Sequence, residues 1–208
     1  MNAEIYQKIE KFRIIPVIAI EDADSALPLA DALIEGGLPV AEITFRTDAA
    51  AAVISKIAKE RPDMLIGAGT ILTIDNLKKA IDCGAKFGVS PGFNPKIVEE
   101  SVKLNFPFFP GIMTPTEIEA AIGYGIKVLK FFPAEAAGGT KMLQSLAAPY
   151  AHLGVRFIPT GGINLEILNN YLSIPQVLAV GGTWIAKAED IKKKNWKQIS
   201  INCKWQTR

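Results

Sequence analysis

A regular alternation of short apolar runs with longer helical segments constrains this chain more than any other feature of its sequence. Eight runs rich in β-branched and aromatic residues have the length and apolar character of buried strands. They predict strands at residues 14–20, 40–45, 64–67, 87–89, 106–109, 126–131, 155–158 and 177–180. Because a segment of helical period follows each run, the repeat implies parallel strands joined by helical crossovers.

The helical segments complete eight βα units. They predict helices at residues 24–34, 49–59, 74–83, 95–104, 115–123, 140–147, 165–171 and 190–199, after a first helix at about residues 2–12. We therefore predict the α/β class and a (β/α)8 TIM barrel with an extra N-terminal helix, as a single domain over residues 1–208. The alternative is an open doubly wound sheet, in which a glycine-rich turn normally follows the first strand. Here that turn reads Ile20-Glu21-Asp22-Ala23, without glycine, which favours the barrel.

Composition excludes several kinds of function. A net charge of +2, from 23 basic and 21 acidic residues, predicts no nucleic-acid partner. A single histidine and two scattered cysteines predict no His/Cys metal site and no Ser-His-Asp triad, and a carboxylate-only metal site, which stays open, has no motif here. No apolar stretch approaches the ~18 residues that a membrane span needs, and residues 1–12 lack the apolar run of a signal peptide. We expect a cytoplasmic protein with reduced thiols.

The second predicted strand is apolar at one parity only. At the other parity it carries Glu42, Thr44 and Arg46. A barrel strand buries both faces, so these side chains are predicted to point into the barrel near its C-terminal end, where barrel enzymes carry their active sites. They form either a buried structural Glu–Arg pair or part of a functional site. A buried ion pair often fails to offset its desolvation, which favours the functional interpretation.

The sixth predicted strand places a lysine among apolar side chains. Lys130 shares its parity with Val128 and Phe132, whereas Lys127 is predicted to reach solvent. Desolvation disfavours an ammonium ion, so a lysine in this position can supply a neutral, nucleophilic amine. Alternatively, a structural carboxylate holds Lys130. Glu42 could be that carboxylate or a catalytic base, and both interpretations place the two residues close together.

Small and polar residues follow three other predicted strands. Thr70 ends the third strand with the parity of Ile66 and Ala68, and its hydroxyl either binds a substrate carboxylate or caps the following backbone. The pairs Gly161-Gly162 and Gly181-Gly182 end the seventh and eighth strands. Glycine lets backbone N–H groups approach an anion, and the loops after these two strands are the common phosphate site of the fold. A phosphorylated small molecule is therefore the expected ligand.

Seven segments of the chain resemble the bacterial 2-keto-3-deoxy-6-phosphogluconate (KDPG) aldolase family, in the same order and spacing. They are Ala41-Glu42-Ile43-Thr44-Phe45-Arg46-Thr47, Gly67-Ala68-Gly69-Thr70, Val89-Ser90-Pro91-Gly92, Pro110-Gly111-Ile112-Met113-Thr114-Pro115-Thr116-Glu117, Leu129-Lys130-Phe131-Phe132-Pro133-Ala134-Glu135, Pro159-Thr160-Gly161-Gly162-Ile163 and Val180-Gly181-Gly182-Thr183-Trp184. The resemblance implies a class I, Schiff-base aldolase of carbohydrate metabolism (the Entner-Doudoroff pathway). Such an enzyme cleaves KDPG to pyruvate and glyceraldehyde 3-phosphate, and also cleaves 4-hydroxy-2-oxoglutarate (KHG) to pyruvate and glyoxylate. The resemblance further implies a homotrimer that uses no cofactor.

The resemblance also implies a role for individual residues. Lys130 would form the Schiff base and Glu42 would transfer protons. Arg46 and Thr70 would bind the pyruvate carboxylate, Phe132 would pack against the pyruvyl carbons, and Pro91 would shape the site. The distal phosphate would bind Thr160, Gly161, Gly162, Gly181, Gly182 and Thr183. The family commonly has serine where this chain has Thr183. The threonine keeps the hydroxyl group of serine and adds a methyl group.

Two other functions remain open at this point. One is a phosphate-binding barrel isomerase that uses Glu42 as a base and needs no imine. The other is a non-catalytic oligomeric scaffold, in which Lys130 would tolerate replacement by methionine.

Overall fold

The computed structural model describes residues 2–204, so Met1 and residues 205–208 of the predicted domain lie outside the described residues. The described strands are β1 (Ile14–Ile18), β2 (Val40–Thr44), β3 (Leu65–Gly69), β4 (Phe87–Val89), β5 (Phe108–Phe109), β6 (Gly111–Ile112), β7 (Val128–Phe131), β8 (Arg156–Pro159) and β9 (Val180–Gly182). The described helices are α1 (Asn2–Phe12), α2 (Ala26–Glu35), α3 (Ala50–Glu60), α4 (Ile74–Asp82), α5 (Pro95–Lys103), α6 (Pro115–Gly123), α7 (Gly139–Ala147), α8 (Leu168–Leu172), α9 (Ala188–Lys192) and α10 (Trp196–Cys203). Short 3-10 helices occupy Ala23–Ser25 and Ala148–Leu153.

The strands form a curled, parallel α/β sheet in two parts. One part has the order β5-β4-β3-β2-β1-β9, and the other has the order β6-β7-β8. All pairings are parallel, as the repeated βα units predict. Two isolated parallel bridges, Phe157 to Val177 and Thr160 to Gly181, connect β8 with the segment that contains β9.

The predicted fifth strand, at residues 106–109, differs from the structure, which has two short strands split by Pro110. Only β5 lies within the predicted range, and it pairs with β4, while β6 follows Pro110 and pairs with β7. Proline has no N–H to donate to a neighbouring strand, but its carbonyl still accepts from the N–H of Lys130 at 2.9 Å. The chain therefore passes at Pro110 from one part of the sheet to the other, and β7 still has a backbone partner there.

The extra N-terminal helix packs against the core. In α1, Ile5 and Ile9 are buried, and Tyr6 packs on Phe109 with 6.0 Å between the ring centroids. Just after the helix, the guanidinium of Arg13 donates to three backbone carbonyl groups, including that of Leu172 at 2.6 Å. These contacts tie the helix to the start of β1 and to the segment before β9.

The predicted final helix over residues 190–199 is wrong in extent. The structure has two helices there, α9 and α10, because the backbone turns at Lys194, whose φ is +54°. The second helix packs on α2, where Gly36 leaves room for Cys203. Within residues 2–204, none of the helices is long and apolar enough to cross a membrane.

Candidate active site

The register of the strands decides which side chains share the concave face of the sheet. Glu42 pairs with Gly67 and Thr44 pairs with Gly69, while Lys130 pairs with Gly111. Partners in parallel strands face the same side, so the polar parity of β2 lies beside two glycines of β3. The sequence correctly placed Glu42 and Thr44 opposite the apolar parity of the same strand.

A cavity of about 240 Å³ opens at the C-terminal ends of the strands. All of the predicted site residues except Gly182 line it: Glu42, Arg46, Thr70, Pro91, Lys130, Phe132, Thr160, Gly161, Gly162, Gly181 and Thr183. Three further lining residues had no predicted role: Val17, Thr44 and Ile163. The hydrophobic alternation alone identifies Thr44 as inward-facing, and Ile163 ends one of the segments that resemble the family, but no motif marks Val17 as part of a site.

Lys130 and Glu42 meet at the base of the cavity. The Lys130 Nζ lies 3.5 Å from the Glu42 Oε1, and the two side chains are only 7% and 4% exposed. The same ammonium group stands 5.3 Å from the centroid of the Phe132 ring. Lys127, three residues earlier, is exposed as its parity predicts. The structure thus brings together two ionisable groups that are 88 residues apart in the chain.

Arg46 is not the partner of Glu42, so the structural Glu–Arg pair considered above is not formed. The Arg46 side chain is exposed, and its Nε donates to the hydroxyl of Thr44 at 3.2 Å. That hydroxyl in turn donates to the carbonyl of Ile18 at 3.1 Å. Thr44 therefore anchors the guanidinium group at the rim of the cavity.

Gly69 makes room for the carboxylate of Glu42. A Cβ at Gly69 would stand 2.0 Å from the Glu42 Oε1 and 2.7 Å from its Cδ. Such distances are shorter than any ordinary contact, so no side chain fits at this position while the carboxylate stays where it is.

Thr70 enters the cavity through its backbone conformation and not through strand parity. Along β3, Thr70 has the same parity as Ile66 and Ala68. These two residues are the register partners of Ala41 and Ile43, which lie on the face opposite Glu42. The strand ends at Gly69, and Thr70 then adopts φ +57°, a strained conformation for a β-branched residue. Helix α4 is capped by Thr73, whose side chain accepts from the Asn76 N–H. The capping role considered for Thr70 is therefore not seen at this helix.

The glycine pairs form the opposite side of the cavity. Gly161 and Gly162 have φ values of +104° and +80°, which glycine adopts without strain. Gly181 lies beside the buried Thr160, where a Cβ would come within 2.2 Å of the Thr160 Oγ1. Gly182 faces the ring of Trp184 and does not line the cavity, unlike the other predicted glycines.

The loop that contains Pro91 is held from two sides. The Ser90 hydroxyl donates to the Gly92 carbonyl at 2.7 Å. A Cβ at Gly111 would stand 2.1 Å from the Pro91 carbonyl oxygen, so only glycine allows this approach. Among residues 2–204, no group of three or more His, Cys, Asp or Glu side chains is placed to hold a metal ion.

Comparison with known proteins identifies a family. Residues 5–201 match the family described as KDPG and KHG aldolase. The chain is 49% identical over 196 residues to 2-dehydro-3-deoxy-phosphogluconate aldolase of Haemophilus influenzae, covering 94% of this chain and 92% of that protein. A solved KDPG aldolase of Legionella pneumophila, with pyruvate captured as a covalent carbinolamine, has a TM-score of 0.92 at 38% identity and covers 96% of both chains. The KDPG aldolase of Zymomonas mobilis with 3-phosphoglycerate has a TM-score of 0.89 at 35% identity, covering 99% of this chain and 95% of that one.

Proposed function

This chain belongs to the KDPG and KHG aldolase family, and from that premise we propose that it uses Lys130 to cleave KDPG into pyruvate and glyceraldehyde 3-phosphate, and KHG into pyruvate and glyoxylate. It is a carbon–carbon lyase that works through a Schiff base. The single observation that carries the assignment of Lys130 is its burial in the cavity, 3.5 Å from Glu42. An isomerase or a scaffold is not favoured by any of these matches.

The reaction begins with the neutral amine of Lys130, which attacks the C2 ketone and forms a carbinolamine. Loss of water gives a protonated imine, which accepts electrons better than a ketone does. Glu42, acting through a water molecule, removes the proton of the C4 hydroxyl. The C3–C4 bond then breaks, its electron pair forms an enamine, and the aldehyde leaves. Protonation at C3 and hydrolysis of the imine release pyruvate and restore Lys130.

The other lining residues bind the two ends of the substrate. Arg46 and Thr70 hold the carboxylate beside C2, and Phe132 packs on the pyruvyl carbons. Thr160 and Thr183 supply hydroxyl groups to the distal phosphate, and Gly161, Gly162 and Gly181 supply backbone N–H groups. Gly182 does not line the cavity and is left out of these contacts. Pro91 shapes the wall between the two ends.

We also propose the finer architecture and assembly. The two parts of the sheet form one closed (β/α)8 barrel, and residues 1–208 form one domain. The split at Pro110 and the bridges between residues 160 and 181 and between residues 157 and 177 support closure, since they connect the parts at both junctions.

The protein is a cytoplasmic homotrimer. Light scattering after gel filtration is expected to give three times the 22.5 kDa mass of the chain, and a monomer mass would contradict the trimer.

Borohydride reduction in the presence of pyruvate tests the mechanism directly. We expect one reduced pyruvyl adduct, which intact mass detects and peptide mapping assigns to Lys130. Lys127→Met is the matched control, because Lys127 belongs to the same segment but is exposed. It should keep the adduct, whereas Lys130→Met should lose both the adduct and the aldolase activity. If saturating pyruvate leaves the wild-type protein unmodified while a known aldolase is labelled, the Schiff-base proposal fails.

A further inference from the structure

A buried hydroxyl next to the loop of residues 160–163 bonds a carboxylate that the proposed mechanism does not use. Tyr171 in α8 is fully buried, and its hydroxyl donates to the Glu135 Oε1. Glu135 lies in the turn after β7 and does not line the active-site cavity. Its side chain borders a separate cavity, together with Gly139 and Tyr171.

Glu135 is packed against the backbone of the glycine pair Gly161-Gly162. Its N–H donates to the carbonyl of Gly161 at 3.1 Å. A Cβ at Gly162 would stand 2.7 Å from the Glu135 Cβ and 2.9 Å from its Cγ. Gly161 is therefore bonded to the main chain of Glu135 and Gly162 packs on its stem, while Tyr171 fixes the other end of the same side chain.

We infer that Tyr171 and Glu135 are positioning residues for residues 160–163, and that they set the preference for a 2-keto acid that ends in a phosphate. This inference rests on the proposed function, which assigns the distal phosphate to this loop. A fixed Glu135 holds the backbone N–H groups in the geometry that a phosphate needs. The bond from Tyr171 also keeps the carboxylate in the neighbouring cavity, where it repels the phosphate less than a carboxylate turned towards it would.

The test is Tyr171→Phe, which keeps the buried ring and removes only the hydroxyl. Steady-state kinetics compare KDPG with KHG, which has no phosphate. We expect the KM for KDPG to rise roughly tenfold, because a hydrogen bond to a charged group is lost. The kcat for KDPG and the kcat/KM for KHG should stay within about twofold of wild type, since neither depends on the phosphate contacts.

Three control variants sharpen the result. Tyr150→Phe removes an exposed hydroxyl that donates to Glu119 at 3.0 Å, and it should leave both substrates unchanged. Glu135→Gln keeps an oxygen acceptor for Tyr171 and should keep the wild-type KM for KDPG, whereas Glu135→Ala should behave like Tyr171→Phe. The KM for KDPG and the ratio of kcat/KM between the two substrates, measured on one preparation, do not depend on how much of a variant is folded.

Two outcomes separate this inference from the proposed function. If the wild-type protein cleaves both substrates and Tyr171→Phe affects them equally or not at all, the positioning inference is overturned while the function stands. If the wild-type protein cleaves neither KDPG nor KHG, the proposed function is overturned and this inference falls with it.

Discussion

Replacing Gly69 by alanine should move the carboxylate of Glu42 without removing any ionisable group. The new Cβ would start 2.0 Å from the Glu42 Oε1, and ordinary contact begins near 3.4 Å, so the carboxylate must retreat by about 1.4 Å. A misplacement of about 1 Å at a reacting group can reduce the rate by about 100-fold. We therefore expect kcat/KM for KDPG to fall by about two orders of magnitude, or about 2.7 kcal/mol of transition-state stabilisation.

Gly67→Ala is the matched control for this experiment. Gly67 belongs to the same strand and the same face, but a Cβ there would meet the ring of Phe87 at 2.3 Å. It should lower the free energy of unfolding by about 1–3 kcal/mol through overpacking, with a smaller effect on kcat/KM. Pyruvate release measures the rates, and urea unfolding measures the stabilities. If Gly69→Ala folds and stays within about threefold of wild-type kcat/KM, the placement of Glu42 does not control the rate and the reasoning is refuted.

Three other predictions concern contacts elsewhere in the chain. Thr44→Val removes the hydroxyl that accepts from Arg46, so the KM for KDPG and for KHG should both rise about fivefold; an effect on KDPG alone would contradict a role at the shared carboxylate. Thr114→Ala breaks the capping box with Glu117 and should lower the free energy of unfolding in urea by about 1 kcal/mol, and an unchanged value would mean that the box does not stabilise α6. Burial raises the pKa of the Cys203 thiol from 9.0 to about 12, so the folded state keeps a proton that the unfolded state loses. This contribution to stability is complete below pH 9.0 and is lost as the pH rises towards 12, at about 1.4 kcal/mol per pH unit. The free energy of unfolding of the wild type should therefore fall with pH by this amount relative to that of Cys203→Ala. Parallel pH profiles for the two proteins would refute the prediction.

The sequence predicted the parts of the site that depend on a single strand. Alternation along β2 placed Glu42 and Thr44 on one face, and alternation along β7 separated Lys130 from the exposed Lys127. These features are local, because the direction of a side chain in a strand follows from its position alone. The pair Gly161-Gly162 was equally accessible to prediction, since a backbone that turns with positive φ favours glycine.

Features that depend on how strands pair could not be predicted in the same way. The role of Gly69 requires the register that sets β3 beside β2, and no pattern within β3 specifies that register. The position of Thr70 in the strand leaves its role open, and only the family resemblance places it in the site; its strand parity faces away, and a left-handed turn brings the residue to the cavity. No sequence pattern singles out Tyr171, because its bond to Glu135 joins the loop after β7 to a helix after β8.

The ion pair between Lys130 and Glu42 is better explained by chemistry than by stability. Its 3.5 Å separation exceeds the ~2.7–2.9 Å of a strong charge-assisted bond, although both side chains are nearly removed from solvent. Among residues 2–204, neither charged group makes another hydrogen bond. A buried pair that is so loosely satisfied usually stabilises a fold less than apolar residues of the same volume would. Such a pair is therefore expected where a ligand completes the set of partners, and the cavity above it provides the space for a 2-keto acid to do so.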